Sequence, residues 1–118
     1  MLAALAALVI TYSAGGNIGE TMLDVSKARQ EGRTVVIDGY CASACTLHLS
    51  NPRTCLTPRA VLVFHAASNA HGTKYLMREY PARVRAYLKA QGGLSDRLIV
   101  LRGKPAQRLI GACRTVSA

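Results

Sequence analysis

The sequence has no tryptophan and one phenylalanine, and aromatic residues make up only 5% of its 118 positions. That scarcity removes the stacking platforms on which single-stranded nucleic acids are read, and no zinc-finger or helix-turn-helix pattern stands in for them. Nucleic acid is therefore not an expected partner. Acidic residues are also few, six against fifteen Lys and Arg, which leaves a formal net charge of +9. The deficit is uneven. Residues 1–58 carry four side chains of each sign, whereas 59–118 carry eleven basic ones against Glu79 and Asp96. A basic second half favours contact with acidic surfaces or membrane headgroups.

None of the four cysteines, Cys41, Cys45, Cys55 and Cys113, forms a Cys-x-x-Cys pair, which argues against a redox motif or a zinc ribbon. Cys41, Cys45 and His48 fall at no standard ligand spacing, so neither a metal nor a cofactor is expected. An even cysteine count permits two disulfides in any of three pairings, and disulfides imply export; four buried thiols in a cytoplasmic protein are the alternative. The apolar opening, Met1–Ile10, is shorter than the roughly 20 residues a bilayer-spanning helix needs. It is like the hydrophobic part of a signal peptide without the basic leader. It reads better as leading into a buried strand, Ala7 to Tyr12, in a chain whose true start lies upstream. Internal repeats and low-complexity linkers are absent.

What is present is half hydrophobic, enough for one domain, 1–118, with a modest core. Leu8–Tyr12 is β-branched and apolar, and Ser13-Ala14-Gly15-Gly16 breaks it. Asn17, with Glu20 three residues on, caps a helix over Ile18–Gln30 that Gly32 closes. Arg33–Asp38 is a second buried strand, ended by Gly39, and Ser43 precedes a helix from Ala44 to Leu49. Thr54–Thr57 and Ala60–Phe64 are further strands, the latter running into His65, and Ala66–Gly72 is a loop. Thr73–Gln91 has helical spacing with Pro81 inside it, which predicts a kink or restart. A short helix over Leu94–Leu101 and a last one over Ala106–Cys113, with Pro105 in its first turn, complete the chain. This alternation makes an α/β domain with a mostly parallel sheet flanked by helices.

In such sheets, sites gather beyond the carboxyl ends of the strands. Gly15-Gly16, Ser43 and His65 each follow a strand. A serine hydroxyl attacks a carbonyl only when a base takes its proton, and imidazole is the usual base. The oxyanion that forms needs preorganised N–H donors. Glycines allow the backbone angles that aim such donors, and Ala44 offers another at a helix start.

Three segments together resemble the ClpP/crotonase superfamily, above all the ClpP-like serine peptidases. Ser13-Ala14-Gly15-Gly16 resembles that family's Ser-Pro-Gly-Gly oxyanion loop, Cys41-Ala42-Ser43-Ala44 its Ala-Ala-Ser-Met nucleophile turn, and Thr54–His65 the strand pair that delivers its histidine. The Cys-x-Ser-x-Cys form also resembles exported, periplasmic ClpP-like bacterial proteins. The resemblance implies a truncated ββα superhelix and a serine hydrolase of peptides or proteins. Its nucleophile would be Ser43 and its base His65, with an oxyanion hole at Gly15, Gly16 and Ala44. It also implies a homo-oligomer. The family's triad aspartate would fall near Cys113-Arg114, where no carboxylate stands; Asp96 is the remaining candidate for a third member. Alternatives are a catalytically inactive binding or assembly module and a crotonase-like acyl-thioester site. On this arrangement we expect Cys45–Cys55 and Cys41–Cys113 disulfides, the first stapling a short loop and the second tying the C-terminal helix to the active edge.

Overall fold

The computed structural model of the chain describes residues 5–114. The first four residues of the apolar opening Met1–Ile10 lie outside the described residues. In chain order the elements are β1 (Leu8–Ser13), α1 (Ile18–Gln30), β2 (Val35–Ala42), a 3₁₀ segment (Ser43–Ser50), β3 (Thr54–Leu56), β4 (Val61–Phe64), α2 (Ala70–Glu79), α3 (Ala82–Ala90), β5 (Ile99–Arg102) and α4 (Gly103–Ile110). The sheet runs β1-β2-β4-β5, with β3 also on β2; β1, β2, β3 and β4 are mutually parallel where they pair, and β5 is antiparallel to β4. The molecule is thus an α/β protein with a mixed sheet and flanking helices.

Strand β2 is the spine. Its first half, Val35–Ile37, pairs with β3, and its second half, Tyr40–Ala42, with β4. Asp38 stands where the partner changes. Its carboxylate accepts hydrogen bonds from Thr57 Oγ1 at 2.6 Å and Arg59 Nη2 at 2.9 Å, which secures the turn between β3 and β4. Gly39 does not end the strand, as the sequence suggested. It lets β2 continue beneath a register shift in β1 between Ile10 and Tyr12, where any Cβ would run into the Thr11 carbonyl.

One sheet face is core. Ile37, Cys41, Leu62, Phe64, Ile99 and Leu101 are buried there, and Leu47, Leu76, Tyr80, Val84 and Leu88 from the 3₁₀ segment and helices join the same cluster. The other face leaves Tyr12 71% exposed, stacked on Tyr40 at 5.4 Å between ring centroids. Asn17 caps α1 by accepting from Glu20 N, and Lys27 and Arg29 sit in the last turn, where cations suit the helix dipole.

Four further expectations about the elements change. Leu94–Leu101 is not a helix. Ile99–Arg102 alternates buried and exposed residues and pairs with β4, so strand pairing overrides any local helical preference there. The segment after Ser43 is 3₁₀ rather than α. Asn69 caps a helix that starts inside the supposed 66–72 loop, and Pro81 then separates α2 from α3, a restart as anticipated. The last helix ends at Ile110. Gly111, at φ 127°, then turns the chain so that Leu56 N donates to Gly111 O and Cys113 N to Leu56 O, extending β3 sideways.

The disulfides are Cys41–Cys45 and Cys55–Cys113, not Cys45–Cys55 and Cys41–Cys113. The 3₁₀ turn brings Cys45 back over the end of β2, leaving 5.3 Å between the Cα atoms of Cys41 and Cys45. The bridge of residue 112 onto β3 sets Cys113 beside Cys55, 4.8 Å apart. Two disulfides fit an oxidising compartment. No described helix is long and apolar enough to cross a membrane.

Candidate functional site

Because β1, β2 and β4 are adjacent and parallel, their carboxyl ends lie on one edge. The register aligns Ser13 with Cys41 and Ala42 with Val63, so the Gly15-Gly16 loop, Ser43 and His65 leave that edge side by side. The topology therefore brings together the three strand-end features.

Ser43 has φ 56°, the only positive value outside glycine among the described residues. A left-handed serine is strained and persists only when its surroundings hold it. Three restraints do so here. The Cys41–Cys45 bridge spans it as a short ring. Gly15 packs against it so closely that a Cβ on Gly15 would stand 2.8 Å from Ser43 Cβ, 2.9 Å from Ala42 O and 3.1 Å from Ala44 N. Thr46 Oγ1 donates to Ser43 O at 2.6 Å. With its one proton committed there, Thr46 accepts from the Tyr80 hydroxyl, also at 2.6 Å. Burial, only partly offset by the Thr46 hydrogen bond, pushes the Tyr80 phenol up to about 12, so it stays a donor at any working pH.

Gly15 and Gly16 have φ of 103° and 124°, values that keep the loop open to glycine alone. Gly15 N donates to Ser13 Oγ at 3.2 Å. Ala44 is fully buried and second in the 3₁₀ segment, where its N–H has no carbonyl partner within the segment.

His65 is half-buried, and its Nδ1 lies 2.7 Å from Ala66 O. A carbonyl only accepts, so Nδ1 carries the proton and Nε2 presents a lone pair. Ala66 is itself held, its N–H donating to Ser95 O at 2.8 Å. Asp96, next to Ser95, is exposed and makes no hydrogen bond to His65, whose Nδ1 faces the Ala66 carbonyl. Nor do the Ser43 and His65 side chains hydrogen-bond each other.

The sequence did not single out Thr46, Tyr80 or the Ala66 carbonyl as parts of the site. Tyr80 falls inside the Thr73–Gln91 helical spacing; its position directly before Pro81, where a helix must stop, is the one signal that it ends an element. Among the described residues no group of His, Cys, Asp and Glu is placed to hold a metal ion. No protein-family model matches the chain, and no curated protein matches it.

Proposed function

We propose that the chain is a serine hydrolase acting on peptide or protein substrates, built on a ClpP/crotonase-like superhelix. The observation that carries the reading is the strained Ser43 at the end of β2, packed against Gly15 on one side and followed by His65 on the neighbouring strand.

In this reading His65 Nε2 takes the Ser43 proton as Oγ attacks the scissile carbonyl. The negative charge that develops on the carbonyl oxygen is met by the Ala44 N–H and by N–H groups of the Gly15-Gly16 loop. The imidazolium then protonates the leaving amine, and water, deprotonated by the same nitrogen, releases the acyl group from Ser43. The Ala66 carbonyl sets the tautomer that an aspartate sets in a full triad. It is neutral and stabilises the imidazolium less. Loss of the orienting acid costs about 10⁴ in kcat in a serine protease, so slow turnover is expected. Catalytic hydrogen bonds often close only around substrate, which accommodates the open Ser43–His65 pair.

That open pair and the missing acid favour one second reading, an inactive ClpP-like binding or assembly module. A fluorophosphonate probe separates the two. The hydrolase labels and Ser43→Ala does not; equal labelling of both proteins removes Ser43 from the chemistry, and no labelling of either supports the module. The same resemblance suggests a periplasmic location and a homo-oligomer, and the basic second half suits contact with acidic surfaces or headgroups.

A further inference from the structure

A groove of about 680 Å³ lies between β1 and α1 and ends at Ser13, Gly15 and Gly16. Along one side runs β1, an edge strand that pairs only with β2. Leu8 N bonds Thr34 O toward β2, so the alternation of a strand turns the N–H and C=O of Val9 outward, and Val9 is exposed; at the register shift the Thr11 carbonyl faces Gly39 of β2 instead. These are free backbone groups of the kind that a further strand pairs with.

Along the other side lie Glu20, Asp24 and Lys27 of α1 and, just past its end, Glu31. Glu31 is engaged by Arg33 at 3.4 Å, and with Lys27 these occupy the end near Leu8. Glu20 and Asp24, which form no ion pair among the described residues, lie toward the Gly15-Gly16 end. The protein has only six acidic residues against fifteen basic ones, and three of them line this groove. His48 lines it too. It is only 7% exposed, and its side chain makes no hydrogen bond among the described residues, Nδ1 being buried without a partner.

From the free β1 edge, the two unpaired carboxylates and the unpartnered His48, we infer that the groove binds an extended peptide. The peptide adds to β1 as a strand, with Lys or Arg side chains set against Glu20 and Asp24. The strand edge supplies affinity that is indifferent to sequence, and the carboxylates supply the preference for basic residues. A chain that is otherwise strongly positive repels such a peptide everywhere else on its surface, which confines it to this strip. The docking does not require Ser43 to be catalytic.

The test uses the Ser43→Ala chain, so that cleavage cannot consume the probe and the outcome is separate from that of the hydrolase reading. Fluorescence anisotropy is followed with fluorescein-labelled acetyl-Val-Lys-Val-Arg-Val-Lys-Val amide, with a counterpart carrying Glu at each basic position, and with a form N-methylated at alternate amides. Preferential binding of the basic peptide is expected. The N-methylated form should lose it, and combined Glu20→Gln and Asp24→Asn should weaken it about tenfold, the scale of a lost charge-assisted contact. Both substitutions sit at exposed helix positions, and a thermal melt verifies that the fold is kept. The inference is overturned by absence of binding, by equal affinity for the acidic peptide, or by unchanged binding of the N-methylated form. It is equally overturned by a self-associated protein that takes up peptide only after dilution, since a second copy would then be the occupant.

Discussion

Gly15 touches Ser43 across the ends of two neighbouring strands, with no room between them for one methyl group. The Gly15-Gly16 loop and Ser43 are therefore a single packed unit, and a side chain on the loop moves the serine.

Gly15→Ala should abolish or slow fluorophosphonate labelling by about 10² or more, the cost of a displaced oxyanion donor. It should also lower stability, because it adds a clash to a φ of 103°. Gly16→Ala meets nothing within 4 Å and suffers only the backbone strain. Labelling rates and thermal melts of the two variants, side by side, separate contact from conformation. Equal effects would mean that the Gly15–Ser43 contact does not position the serine.

Tyr80→Phe removes the donor at the head of the chain that runs from Tyr80 through Thr46 to the Ser43 carbonyl. The expected cost is about 1 kcal/mol in urea unfolding, for a buried hydrogen bond lost with little change of shape. A slower labelling rate should accompany it, since Ser43 loses part of its restraint. A stability loss with unaltered labelling would show that the network serves only the core.

The two disulfides should differ in what their removal does. Cys55–Cys113 closes a separation of 58 residues, and replacing the pair by alanine should cost about 4 kcal/mol of stability on chain-entropy grounds. Cys41–Cys45 closes a separation of 4, for about 2 kcal/mol. Yet it is the shorter ring that encloses Ser43. Its removal should lower labelling more than removal of the longer link, a reversal of the order found in urea melts.

Acidification should destabilise the fold before any carboxylate titrates. Burial holds the His48 imidazole below its ordinary pKa, with Asp24 pulling weakly the other way. As pH falls through about 6.5 the unfolded chain binds a proton that the folded chain refuses, so stability is lost from there downward until the folded pKa is reached. Melting temperatures between about pH 7.5 and 5.5 should fall in the wild type and flatten in His48→Gln. Asp38 acts lower. Its hydrogen bonds from Arg59 and then Thr57 depress its pKa, so its contribution persists above the ordinary carboxylate range and goes as pH drops through the folded value.

The strand-end features were readable because each is a local event: a β-branched run, then glycine, serine or histidine. Parallel pairing of those runs does the rest, and it follows from the helices and loops between them. Strand β5 was not readable. Leu94, Leu98 and Leu101, before and within it, have helical spacing, and only the presence of β4 alongside makes Ile99–Arg102 extended. The disulfide pairing failed for the same reason, since it depends on a 3₁₀ turn and on a bridge between β3 and residue 112. The Ala66 carbonyl has no side-chain signature at all. It is a backbone group, and any residue at 66 would offer it.

Gly39 carries a last implication. A side chain there would strike the Thr11 carbonyl at the shift in β1, inside the pairing that the whole sheet hangs on. Ser43 and His65 are partly exposed and already carry a Cβ, so an exchange there adds no atom at the backbone crossing. In a saturation-mutagenesis screen selecting only for folded protein, position 39 should accept glycine alone, while 43 and 65 should accept several residues. Inheritance of the architecture and inheritance of the chemistry would then be written at different codons. A descendant of this chain could exchange Ser43 or His65 in one step and still keep its shape.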